Sequence, residues 1–285
     1  MTMNNDMHGQ YRYADNEAVT DGEKAFAKQV KRLLVGEAEK CDIIVFDEID
    51  STNLYLKNAA SFGAPDGTVA IANRQSAGRG RMGRHFVSDN GGLYMSLLVR
   101  ANISAEQSLF ITTSAAIAVC RAIESVSGQK AGIKWVNDVF IGDGKVCGIL
   151  TEGAHDSAAG RLEYAVVGIG VNITEPIGGF AAEIADVAAS VYGDSAPVDA
   201  KARMAAAILN ELCELIAHGW NKTLAEEYRH RSVVIGKAVD IISEKEPTSA
   251  TVVDIDDSAA VILRMNDGSI VRKTSGDIRL RVKKR

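Results

Sequence analysis

The sequence predicts an α+β fold, a mixed β-sheet domain flanked by helices and followed by a small β-barrel. Three observations carry this. Strand-like and helix-like apolar patterns are interleaved through the first four fifths of the chain. Short hairpin turns join neighbouring strands, which a doubly wound parallel sheet would not use. Beyond Ser232 only short strands and turns remain. With 285 residues the chain can bury one large core or two modest ones. We divide it into a tail with a short helix (1–40), a main domain (41–231) and the barrel (232–285).

Taken in order, 23–34 reads as an amphipathic helix and 42–48 as an Ile/Val strand. Ser51-Thr52-Asn53 stands where a helix should begin, and Gly63 where it should stop. Residues 67–72 and 93–99 are further strands. Ser104 with Gln107 forms a capping box ahead of a helix whose Phe110, Ile117, Cys120 and Ile123 favour one face, with Gly128 as its C-terminal cap. Strands at 132–136, 139–141 and 146–151 follow, the last two joined by Gly142-Asp143-Gly144. Residues 164–173 make another strand. Met204, Ile208, Leu212 and Leu215 then repeat at helical period. In the last part, 233–242, 250–255, 260–265 and 269–273 are short strands separated by turns at Asp256-Asp257 and Asn266-Asp267-Gly268.

Composition excludes several classes. Hydrophobic residues at 46% and charged residues at 24% are ordinary for a globular protein. No uninterrupted apolar run approaches the ~18 residues of a membrane span, and residues 1–13 lack the apolar core of a signal peptide. Cys41, Cys120, Cys147 and Cys213 are scattered without a CxxC pair and read as reduced thiols of a cytoplasmic protein. A net charge of -5 argues against a general nucleic-acid surface. It also makes the crowding of Arg74, Arg79, Arg81 and Arg84 informative.

Gly78-Arg79-Gly80-Arg81-Met82-Gly83 satisfies GxGxxG, yet neither familiar reading fits. An extended His85-Phe86-Val87-Ser88 follows where a dinucleotide fold needs a helix, and no acid stands about twenty residues on. The kinase and Walker signatures are also absent. The glycines permit unusual backbone angles, expose N–H groups and leave the loop mobile, while the guanidiniums supply planar charge-assisted donors. Four arginines without local acids repel one another unless an anion lies among them. The bland alternative is a solvated basic loop.

The loop arrives with ordered neighbours. Asp50-Ser51-Thr52-Asn53 and Gln75 precede it. Lys134-Trp135-Val136-Asn137-Asp138, then Lys145 with Gly148-Ile149-Leu150, then Gly168-Ile169-Gly170-Val171-Asn172 follow. Together these motifs resemble those of biotin protein ligases, from Asp50 to Asn172, and the barrel extends the likeness to Arg281. The resemblance implies a class II synthetase-like biotin/lipoate ligase fold with an SH3-like C-terminal domain. It implies an enzyme that activates biotin with ATP and Mg²⁺ and transfers it to a lysine of a biotin carboxyl carrier protein or domain. By the same resemblance Arg79, Arg81 and Lys145 are catalytic, and Ser51, Thr52, Asn53, Gln75, Arg79, Gly80, Arg81 and Lys145 bind biotin. Arg81, Arg84, Phe86, Asn137, Asp138, Lys145 and Asn172 then bind the nucleotide, with Asp138 as a metal ligand.

Alternatives stay open at single positions. Ser51–Asn53 reads equally as a helix cap, Lys145 as a solvated hairpin lysine and Asn137-Asp138 as a turn. For the whole chain, the competing readings are a lipoate or octanoate ligase, a non-catalytic biotin sensor, and a generic nucleotide-binding module. Val136 and Phe86 depart from the family's commonest Pro and Trp, but Phe86 keeps an apolar plate. The acidic first forty residues lack a basic recognition helix, so DNA binding is not expected, nor is a membrane partner. A homodimer through exposed sheet edges remains open.

Overall fold

The structure, a computed structural model, describes residues 20–100, 104, 108–156, 160–242, 248–274 and 279–282. Along the main domain run α1 (Asp21–Lys31), β1 (Asp42–Ile49), α2 (Thr52–Ser61), β2 (Thr68–Gln75), β3 (Gly92–Val99) and α3 (Ser108–Ser127). They are followed by β4 (Gly132–Lys134), β5 (Asp138–Ile141), β6 (Gly144–Asp156), β7 (Arg161–Asn172), α4 (Ala200–His218) and α5 (Lys222–His230). The seven strands pair in the order β1-β2-β3-β7-β6-β5-β4. β1 and β2 are parallel across α2, and the other pairs are antiparallel. The mixed sheet expected from the sequence is therefore present.

Side chains alternate across this sheet. Ile43, Val45, Val69, Ile71, Leu97, Val99, Val167 and Ile169 join the large core with α3 and α4. Ile44, Ala70, Leu98 and Val166 point the other way, beneath Tyr55, Leu56, Ala59 and Ala60 of α2. Truncating the fully buried Leu56 to Ala is worth about 2–5 kcal/mol. That second face continues along β7 and β6 to Gly168, Gly170 and Gly148, with Gly148 opposite Gly170 and Gly168 opposite Leu150. The N-terminus of α2 looks onto this glycine-paved stretch.

Several boundaries move for physical reasons. α1 starts at Asp21 because Thr20 and Glu23 form a reciprocal capping box. Ser104 forms a β-bridge with Arg161; Gln107, the other half of the expected capping box, lies outside the described residues, as does the 1–19 tail. α3 is buried on all sides from Ala115 to Cys120 instead of on one face, because sheet and α4 sandwich it. Its Leu109–Ser127 stretch has the length and mean hydropathy (1.5) of a membrane span, but 67% of it is buried inside the fold. The 132–136 strand stops at Lys134, and α5 was not expected.

The C-terminal domain is a five-stranded antiparallel sheet. Its strands are β8 (Ala238–Ile242), β9 (Thr248–Ile255), β10 (Val261–Met265), β11 (Ile270–Lys273) and β12 (Arg279–Val282), in the order β11-β10-β9-β8-β12. The expected strand 233–242 is shorter at its start because the chain there is still attached to the main domain. Ile133 N–H donates to Arg231 O at 2.7 Å and Val233 N–H to Ile133 O at 2.9 Å. The buried Trp135 indole donates to Ala259 O at 2.8 Å, and the Trp220 indole to Asp257 O at 2.9 Å. One apolar core runs through the junction, shared by Ile133, Trp135 and Tyr228 with Val234, Val252 and Val261.

Candidate active site

A cleft of about 510 Å³ opens on the glycine-paved face, and its walls include every candidate residue named above. Its size is that of a small-molecule site.

One end is built from the start of α2. Ser51 caps the helix, its hydroxyl accepting from Leu54 N–H at 3.4 Å. The capping alternative is therefore real, and the cap places Thr52 and Asn53 at the cleft. Thr52 donates to Gln75 Oε1 through its N–H (2.9 Å) and hydroxyl (3.1 Å). Gln75 Nε2 donates in turn to Ser88 Oγ at 2.9 Å. The fully buried Ser96 hydroxyl lies 2.7 Å from Thr52 Oγ1 and 2.6 Å from Asn53 Oδ1. Asn53 Nδ2 donates to Leu150 O at 3.2 Å and Glu152 Oε2 at 3.1 Å, so both ends of its amide are fixed. Gly168 makes room for it, because a Cβ there would lie 2.1 Å from Asn53 Oδ1.

The glycine–arginine loop is laced where mobility was expected. Phe86 N–H donates to Gly78 O at 2.9 Å, Gly80 N–H to Arg84 O at 2.7 Å, and Arg79 bridges His85. Gly78 serves close approach: a Cβ would meet Phe86 O at 2.3 Å. Met82 (φ 58°) and Gly83 (φ 70°) turn the tip. Arg79 reaches Glu152 at 3.5 Å, and Arg81 donates to Asn137 Oδ1 at 3.0 Å. Burial pulls the Arg81 pKa down, against the opposing charge of Asp138, yet a guanidinium stays charged at neutral pH. Arg84 is exposed and donates through Nε to Arg81 O at 3.2 Å.

The far wall is the β5–β6 hairpin. Lys145 Nζ lies 2.7 Å from Asp138 Oδ1, with side chains 28% and 23% exposed, so Lys145 is no freely solvated lysine. Its backbone is clamped by Val187 O (2.6 Å) and Ala189 N–H (2.9 Å). Asn137 Nδ2 donates to Ile149 O at 2.7 Å and Asn172 Nδ2 to Ala189 O at 2.9 Å. Between the walls lies Phe86, its centroid 6.0 Å from Lys145 Nζ. The ring rests on Gly148 and Gly170, where a Cβ would come within 2.8 and 2.5 Å of it.

The donor set does not fit a metal held by the protein. Among the described residues no group of three or more His, Cys, Asp or Glu could hold an ion. Asp138, expected as a ligand, is taken up by Lys145. Magnesium accompanying a nucleotide would have to be carried mainly by its phosphates.

Sequence reasoning missed Ser96 and Glu152. Burial would raise the Glu152 pKa, but hydrogen bonds from Asn53 and Lys57 and the charges of Lys57 and Arg79 outweigh it and hold the carboxyl below its ordinary value. One signal was available: Glu152 is a charge on an inward position of β6, in register with Val166.

Comparison with known proteins agrees with this geometry. Residues 45–172 match the biotin/lipoate A/B protein ligase family and 234–281 the biotin protein ligase C-terminal domain. The bifunctional ligase/repressor BirA of Bacillus subtilis is 32% identical over 84% of this chain and 74% of its own. The biotin–[acetyl-CoA-carboxylase] ligase of Mycobacterium tuberculosis is 31% identical over 82% and 87%. Among solved structures, the Aquifex aeolicus biotin protein ligase in complex with biotin and ATP superposes with a TM-score of 0.70 at 25% identity, covering 85% of this chain and 99% of its own. The fold, the cleft and these likenesses agree: the chain belongs to the biotin protein ligase family.

Proposed function

We propose that the protein condenses biotin with ATP to biotinyl-5′-adenylate and then passes the biotinyl group to a lysine of a biotin carboxyl carrier protein or domain. The observation that carries this is the convergence of Arg79, Arg81 and Lys145 on one cleft beside the fixed amides and hydroxyls of Thr52, Asn53 and Gln75. A neutral ureido ring needs both donors and acceptors. A carboxylate attacking a phosphate needs cations to offset the repulsion.

In the first step a biotin carboxylate oxygen bonds to the α-phosphorus while the bond to the departing pyrophosphate breaks. Arg81 and Lys145 stabilise the charge that builds on those oxygens. Phe86, seated on glycine, offers an apolar plate to the base or chain, and Asn137 and Asn172 provide polar edges for the nucleotide. In the second step the carrier's neutral lysine amine attacks the acyl carbonyl, the carbonyl–oxygen bond breaks, and AMP leaves. The amine's proton goes to solvent.

The test is pyrophosphate release by the purified protein with ATP and Mg²⁺, with biotin against lipoate. Biotin-dependent release with retained adenylate is expected. Equal turnover with lipoate would reassign the substrate, and none with biotin would end the proposal.

A further inference from the structure

A half-buried carboxylate that this chemistry leaves unused ties two walls of the cleft together. Glu152 sits on β6 on the face otherwise filled beneath α2, with its side chain 18% exposed. A charge so placed is costly unless paired, and three groups pair it. Lys57 Nζ lies at 2.9 Å, Asn53 Nδ2 at 3.1 Å and the Arg79 guanidinium at 3.5 Å. Asn53 and Lys57 stand one turn apart on α2, so they reach the same spot by helical spacing. Arg79 comes from the glycine–arginine loop. Two residues on, Arg81 is bound to Asn137 on the β4–β5 turn instead. The loop is thus held at two points, to α2 and β6 through Arg79 and to the opposite wall through Arg81. The Arg79 contact is the longest of the three at Glu152, and Arg79 is 45% exposed. It is a resting place from which the guanidinium can be recruited.

We propose that Glu152 is a positioning residue: it parks Arg79, and with it the first half of the loop, at the end of the cleft where Asn53 presents its amide. It touches no reacting atom and acts through Arg79. The effect on biotin use rests on the function proposed above, whereas the effect on the loop does not.

Glu152→Gln keeps the shape and one acceptor oxygen, so it holds only one of the Asn53 and Lys57 contacts and drops the charge that attracts Arg79 and Lys57. The test compares wild type, Glu152→Gln, Arg79→Gln and the double variant. It reads biotin KM and kcat in pyrophosphate release, and the rate of tryptic cleavage after Arg81 in the ligand-free protein. Glu152→Gln should raise biotin KM roughly 5- to 10-fold, the scale of one ordinary hydrogen bond, because the Arg79 contact is long and part-exposed, with kcat little changed. Cleavage after Arg81 should quicken several-fold, and just as much in Arg79→Gln, which leaves Asn53 and Lys57 on the carboxylate. The double variant should add nothing further. Additive effects in the double variant, or unchanged KM and cleavage in Glu152→Gln, would overturn the latch and leave Glu152 an anchor for α2. If Glu152→Gln does not fold, unaltered cleavage in Arg79→Gln overturns it alone. A wild type without biotin-dependent turnover, whose variants are nonetheless cut faster, would overturn the biotin reading and support the latch.

Discussion

Phe86 lies so close to Gly170 that a Cβ at that glycine would stand 2.5 Å from its ring. The glycine thus fixes where the plate between the two walls of the cleft can lie. Gly170→Ala must displace the ring from its seat on the sheet. Adenylation should fall at least about tenfold, the cost of roughly 1.4 kcal/mol in the transition state, while far-ultraviolet circular dichroism stays unchanged. Wild-type kinetics in this variant would show that the ring's seat does not matter.

Lys145 and Asp138 form the second test. Lys145→Ala should lower the adenylation rate on the order of 10²-fold, because the ammonium acts on charge that develops only in the transition state. Biotin affinity, measured by calorimetry, should fall much less. Asp138→Asn keeps the lysine but loses its tether, so it should be milder. A near-normal rate for Lys145→Ala at saturating substrate would return Lys145 to a structural lysine.

Arg81 is joined to the far wall by its hydrogen bond to Asn137. Arg81→Gly removes the bond and a cation, so the loop closes less well over a reactive mixed anhydride. Release of adenylate into solution, and labelling of unrelated lysines, should rise. An unchanged release rate would rule out Arg81 as the closure.

A pH dependence follows from the ion network Glu124–Arg231–Glu227–Arg121 that ties α3 to α5. The hydrogen bond from Arg231 holds the Glu124 carboxyl below its ordinary value. For Glu227, burial pushes the pKa up, but hydrogen bonds from Arg121 and Arg231 outweigh it and the carboxyl is again held low. Both are depressed in the folded chain, so their stabilisation is complete above the ordinary value near 4.5. It is lost as pH falls through the lower folded values, because the unfolded chain takes up protons first. Denaturant titrations from pH 7 down to about 3.5 should show the loss. Glu227→Gln should cost roughly 1.5–3 kcal/mol at pH 7 and flatten the acid limb.

Much of this site was legible because its parts are local. A capping triplet, a glycine–arginine run and a tight hairpin each declare themselves within a few residues, and the sheet alternation follows from period two. What stayed hidden depends on contacts across the sheet. Gly168 and Gly170 are required by Asn53 and Phe86, far off in sequence, and Ser96 and Glu152 acquire partners only once β3, β6 and α2 are assembled. α5 and β12 were missed because their short patterns are stabilised by docking onto α3 and β8.

Removing the C-terminal domain should weaken both half-reactions. A chain ending at Arg231 strips the acceptor from the buried Trp135 indole, two residues before Asn137. Both adenylation and transfer should therefore fall in a truncated protein that is still folded. Normal adenylate formation with poor transfer would instead assign the domain to the carrier alone.

The junction also gives the molecule its own optical signal. The chain has 2 tryptophans, and both indoles donate to the same turn of the C-terminal domain, at Asp257 and Ala259. Intrinsic emission excited at long wavelength therefore reports the seating of that turn, together with the cleft that Trp135 lines and the Phe110 ring stacked on Trp220. Loosening it would wet both rings and shift their emission to the red, so the coupling of the two domains can be followed in real time without a label.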